Sequence, residues 1–356
     1  MLHGANFIYN KQMEKFGGSV SSFYERDETR QEKAMEYFQK AFDGNADIKL
    51  AKLEREKSAE EIQIINLADI YSNMLRAKYN LADLNISESN VHIIPDDKWD
   101  ESQTDTSGFY SITDQRAYIR EPISKMSFFA TTFHEFMHFK SHNSISLGDL
   151  GLEDVNPQTG EFVEEFPKLD RVQLGISTWG QIMGERAYTF FSLNEAITEE
   201  IVRRNIWRAF EHPVFEKERR MIKDHVDKYN AVLPEGREPM SEKLLFMGEY
   251  KPSFIKKAMY KLRGVSTKDK FYFGNFAYPK ERRLLKIITE KLSQRLPEKY
   301  KSSDESFEAF EKAMMLGINE SGELMFAIID AFGEGSWERL GILEDIDSKI
   351  EWAESL

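Results

Sequence analysis

The stretch SFFATTFHEFMHFKSHNSI, residues 127 to 145, sets three histidines at four-residue intervals in a chain of 356 residues that has only seven. Around them Phe128, Phe129, Ala130, Phe133, Phe136, Met137 and Phe139 leave almost no polar face. A helix that is apolar all round belongs in the interior of a domain. The pattern therefore predicts a central buried helix carrying His134, Glu135 and His138. Burying such groups without partners is costly, so whatever this helix packs against must satisfy all three.

His134, Glu135 and His138 spell H-E-x-x-H. A helix brings residues i and i+4 onto one face about 6 Å apart, so both imidazoles can reach one ion. Glu135 lies about 100° around the axis from His134, where it can take a proton from a water on the ion instead of ligating. The plainer reading is a pair of hydrogen-bonded core histidines; a bound dication is the partner that suits all three side chains. His142 cannot join them. It lies about 12 Å along the axis from His134, too far for zinc–nitrogen bonds of about 2.0–2.1 Å from a single helix. It is expected as a helix-end residue favoured by the macrodipole. The longer pattern H-E-x-x-H-x-x-G-x-x-H fails as well, because Ser141 and Ser144 occupy its Gly and His positions.

The chain has no cysteine, so disulfides and thiolate sites are excluded and any metal must be held by His, Asp or Glu. A catalytic zinc takes three protein ligands and a water, which makes a carboxylate on a second element the expected third ligand. The stretch SLNEAITEE, residues 192 to 200, begins a predicted helix. Its Glu195 and Glu199 are four apart and share a face, so one can ligate while the other accepts a hydrogen bond from a ligand histidine's far nitrogen. An ordinary acidic first turn is the alternative. Glu164 and Glu165 are rivals, but they fall in a loop.

H-E-x-x-H followed by a helix bearing N-E-x-x-[ST]-[DE] resembles the gluzincin class of zinc metallopeptidases, the thermolysin-like group. The resemblance covers roughly residues 116 to 203. It implies that His134 and His138 ligate Zn2+, that Glu195 is the third ligand, that Glu199 hydrogen-bonds His134, and that Glu135 is the general base. It implies a zincin-like core: a small mixed sheet with an edge strand, an active-site helix and a glutamate helix. The stretch RAYIRE (116–121) would be the edge strand that pairs with a substrate backbone. The spacer to Glu195 is longer than usual for the class, which would want Glu at 157, where the chain has Pro157; a predicted hairpin fills the extra length. Glu199 stands where Asp is more common, and Lys140 where an apolar residue is common. The class also uses a donor to the oxyanion, for which Tyr278 is the candidate, with His225 and Tyr250 behind it. The activity implied is hydrolysis of peptide bonds, with peptides or proteins as substrate. The G-x-M-E-N sequence of aminopeptidases is absent, so an endopeptidase is expected. The competing reading is a regulatory or protein-interaction module, with or without zinc, that hydrolyses nothing.

The expected fold is α+β, in three parts. Residues 1–85 form an N-terminal helical segment, including DETRQEKAMEYFQKAF (27–42) and a helix from a Ser58/Glu61 capping box to about Leu84. Residues 86–210 hold the core: strands at 91–95, 108–112 and 116–121, the histidine helix, a loop at 148–160, and a hairpin of 171–178 and 186–193 joined by WGQIMGE. Residues 211–356 form a helical C-terminal lobe, with helices over 212–230, 278–296 and 302–318. Acidic residues outnumber basic ones 61 to 48, which argues against a nucleic-acid surface. No apolar run is long enough for a membrane span, and no leader pattern opens the chain, so a cytoplasmic protein is expected.

Overall fold

The computed structural model describes residues 50–99, 106–111, 115–147, 169–182, 185–232, 245–249, 271–274, 276–341 and 345–356. The fold is mixed α+β, with helices predominating. Helix α1 (Ala59–Lys78) leads to strands β1 (Val91–Ile94), β2 (Gly108–Ser111) and β3 (Arg116–Arg120), then to α2 (Lys125–Lys140), the histidine helix. Strands β4 (Asn143–Leu147), β5 (Leu169–Leu174), β6 (Ser177–Ile182) and β7 (Glu185–Thr189) precede helices α3 (Phe191–Phe210) and α4 (Glu216–Ala231). Strands β8 (Leu245–Glu249) and β9 (Phe271–Gly274) come next. Helices α5 (Pro279–Arg295), α6 (Ser303–Leu316), α7 (Ile318–Phe332), α8 (Ser336–Gly341) and α9 (Ile346–Ser355) complete the described elements.

Helix α1 begins as expected: Ser58 accepts the Glu61 N–H and Glu61 reaches back to the Ser58 N–H. It stops at Lys78 rather than Leu84, because Asn80 takes a left-handed conformation (φ 56°) that asparagine tolerates and a helix does not. The first sheet has the order β1-β3-β2, with β1 parallel and β2 antiparallel to β3. The expected edge stretch 116–121 is therefore its central strand. Ala117, Tyr118 and Ile119 are all buried, and a strand covered on both faces takes an inner position. Among the described residues, β2 is the antiparallel strand at the sheet's edge.

The predicted hairpin is a three-stranded meander, extended by β4 to a sheet of order β4-β5-β6-β7. Much of WGQIMGE, expected as the connection, is strand β6. The chain turns earlier, at Gly175, whose φ of 60° suits glycine. The β8–β9 pair was not anticipated within the helical lobe. Residues 27–42, the loop at 148–160, Glu164, Glu165 and Tyr250 lie outside the described residues.

The main hydrophobic cluster runs from Ile64 on α1 to Ala353 on α9, with α2 inside it. Phe129 meets Phe210 and Phe215 edge-on, at 5.9 and 5.6 Å between ring centroids, geometries that favour aromatic pairs. A buried helix must have both ends satisfied. At the start of α2, Ser124 and Ser127 form a reciprocal cap, and Glu218 of α4 accepts the Lys125 and Met126 N–H groups, each at 2.8 Å. At its end, Asn143 donates to the His138 and Phe139 carbonyls, and Arg76 of α1 to that of Lys140. The buried ammonium of Lys140 is held by the Asp69 carboxylate (2.7 Å) and the Asn73 side-chain carbonyl (2.8 Å) of α1. Among the described residues, no helix is long and apolar enough to cross a membrane.

Candidate metal centre

Helix α3 starts from Phe190, which is left-handed (φ 58°) and sits on Trp337 at 4.4 Å between ring centroids. Its N–H donates to the Gly341 carbonyl at 2.9 Å, and a Cβ at Gly341 would fall 2.8 Å from the Phe190 ring. This close approach of α8 turns the chain out of β7 so that Asn194, Glu195, Thr198 and Glu199 are all buried. His134 Nε2 lies 3.1 Å from Glu195 Oε2 and 3.1 Å from His138 Nε2, and His138 Nε2 lies 3.3 Å from Glu195 Oε1. Among the described residues, these three form the only His/Asp/Glu cluster spaced to hold a metal ion.

The donor set fits zinc. Tetrahedral ligands about 2.0–2.1 Å from zinc stand about 3.3 Å from one another, close to the spacing found. Glu199 Oε2 is 2.9 Å from His134 Nδ1. An Nδ1–H donated to that carboxylate leaves the Nε2 lone pair facing Glu195 and His138. Two imidazole nitrogens 3.1 Å apart need a proton or a cation between them. Consistently, burial would lower the His134 pKa, but hydrogen bonds to Glu195 and Glu199 outweigh it and hold the imidazole well above its usual range. Burial likewise works to raise Glu195, yet the charge of His138 and the hydrogen bond from His134 bring it below the usual carboxylate range.

Glu135 is buried beside the cluster. Burial raises its pKa, partly offset by the two histidines. Among the described residues its carboxylate has no hydrogen-bond partner.

No family model, curated protein or solved structure matches this chain. The site must therefore be read from its own geometry.

Of the two donor candidates among the described residues, Tyr278 reaches the cluster: its ring stacks on His134 at 5.9 Å and 18°. Burial, the Glu195 and Glu135 charges and a hydrogen bond to Glu195 push its phenol above the usual range, so the hydroxyl keeps its proton. His225 lies half-buried on α4. His142 is not the helix-end cation expected. The helix stops at Lys140, burial lowers the His142 pKa, and its ring lies against Gly317, where a Cβ would come within 2.4 Å.

Three contacts around the cluster go beyond the roles expected from the sequence, which had already placed Glu199 beside His134. Glu199 uses its other oxygen to accept the Ala277 N–H at 2.7 Å, tying the His134 partner to the residue before Tyr278. Arg282 then clamps the same segment, donating to the Ala277 carbonyl at 2.9 Å and the Phe276 carbonyl at 3.2 Å. Asn194, named only as part of its motif, accepts the Ile176 N–H at 3.1 Å and puts its Nδ2 at 3.5 Å from His138 Nδ1, the limit of a hydrogen bond. Nothing marks Arg282 among the charged residues of PKERR, because its partners are backbone carbonyls just before the helix, presented by the left-handed turn at Tyr278 (φ 52°) and not by any side chain.

Proposed function

We propose that this protein is a zinc-dependent metalloendopeptidase built on a zincin-like core. The observation that carries this reading is the convergence of His134, His138 and Glu195, with donor atoms 3.1–3.3 Å apart, beside the buried Glu135. Zinc bound there would acidify its water and polarise a substrate carbonyl. Glu135, with a raised pKa, accepts the proton as the water attacks and returns it to the departing amide nitrogen. Tyr278 keeps its proton and donates a hydrogen bond to the oxygen on which negative charge develops. Glu199 holds His134 in one tautomer throughout. Strand β2, at the edge of the sheet among the described residues, is the strand to which a substrate backbone would add, in place of β3. Retention of Glu135 favours hydrolysis over a structural site, which has no use for a base.

Elemental analysis of protein purified without a histidine tag or chelator tests the reading. About one zinc per chain, with cleavage of a denatured protein substrate, is the expected result. Protein that lacks zinc even after zinc is added back would make the histidines core residues. Protein that holds zinc but cleaves nothing would be an interaction module.

A further inference from the structure

A cleft of about 390 Å³ lies between α3, α5 and the start of α6. Its lining includes Arg203, Arg204, Arg282, Arg283 and Lys286, against the carboxylates of Glu200 and Glu290. This is an excess of positive charge in a chain whose net charge is −13. Glu200 pairs with both Arg203 (2.6 Å) and Arg204 (2.8 Å), and Arg204 also reaches the exposed Asp304 at 2.9 Å. Arg283 pairs with Glu354, and Lys286 stands 3.7 Å from Glu290; these side chains are well exposed, so solvent weakens both pairs and a more highly charged ligand can displace them. The first residues of two long helices, Pro279 and Ser303, also line the cleft and add their partial positive charge.

Arg282 differs from its neighbours. Among the described residues it forms no ion pair, and its hydrogen bonds go only to the Phe276 and Ala277 carbonyls. Burial lowers its pKa, and the nearby charges of Glu199, Glu200 and Glu281 offset this only in part. Guanidinium forks match tetrahedral oxyanions, and the volume suits a small molecule rather than a protein segment.

We propose that this cleft binds a small, multiply charged oxyanion of the phosphate class, and that Arg282 links its occupancy to the position of Tyr278. A ligand that draws Arg282 toward the cleft loosens its hold on the two carbonyls before Tyr278. The segment then keeps Glu199 at the Ala277 N–H, Phe276 against Trp207 and the Tyr278 ring on His134. The binding site stands whether or not the chain is a peptidase; only the effect on catalysis rests on that reading.

Titration calorimetry of the full chain with inorganic phosphate, at constant ionic strength, tests it. The expected result is saturable one-to-one binding, weakened at least tenfold in the Arg283→Gln/Lys286→Gln double variant, whose changes are exposed and leave the metal centre intact. Absent binding, or equal binding in the double variant, overturns the proposal. So does binding that survives in the double variant but is lost in Glu195→Ala, since that would place phosphate on the metal. Hydrogen exchange reads the link: saturating phosphate should change protection across residues 276–282 in the wild type, and unchanged exchange would remove Arg282's role. Failure of the peptidase reading would leave the calorimetry as it is.

Discussion

The residues of the proposed metal centre have different tasks, and substitutions should separate them. Glu135→Gln should keep zinc and lower kcat by about 10²–10⁴, the usual contribution of a general base. Glu195→Ala should lose much of the metal, since it removes a donor; equal zinc content in wild type and variant would take Glu195 out of the ligand set. Glu199→Gln should weaken zinc binding by about 10–100-fold, the usual effect of losing the partner that orients a ligand histidine. Acid should act through His134. Its raised pKa means that protons compete for Nε2 from above the ordinary histidine range downward, so zinc affinity falls as pH falls through that range. A zinc affinity that stays flat below neutrality would contradict the hydrogen-bonded state found for His134.

Among the elements, the turn between β5 and β6 is tied most closely to the site. Gly175 is left-handed, and a Cβ there would meet Asn194 Oδ1 at 2.4 Å, while the next N–H, of Ile176, donates to that same oxygen. Gly175→Ala should cost about 1–2 kcal/mol of backbone strain, plus the displacement of Asn194 from beside His138. Gly335, at φ 79° with open space around its Cβ position, is the control: Gly335→Ala should pay only the strain. Equal losses of Tm in the two variants would mean that the Asn194 contact carries no weight. The elements were legible to different degrees. The α2 and α3 periodicities were plain because a helix pattern is local. The central position of β3 and the third strand of the meander were not, because strand order depends on which faces are buried rather than on the strand's own residues.

Across the whole molecule the centre joins elements distant in the chain. α2 supplies two histidines, α3 two glutamates, and the segment before α5 supplies Ala277 and Tyr278, all set in the core that runs from α1 to α9. Metal should therefore stabilise the fold as a unit. Free zinc at about 1,000 times its Kd adds about 4 kcal/mol to a state that binds it only when folded, so a chelator should lower Tm by several degrees and added zinc should restore it. An unchanged Tm in both conditions would mean that no ion links these elements. The sequence by itself determined which side chains could share an ion, because the spacings of His134 with His138 and of Glu195 with Glu199 are set by the helical turn alone. Only the tertiary structure decided that Glu195 meets both histidines, that Glu199 holds His134 and Ala277 together, and that β2 rather than β3 lies at the edge of the described sheet. Those contacts arise when distant apolar surfaces are buried together, and no local period in the chain encodes where such surfaces meet.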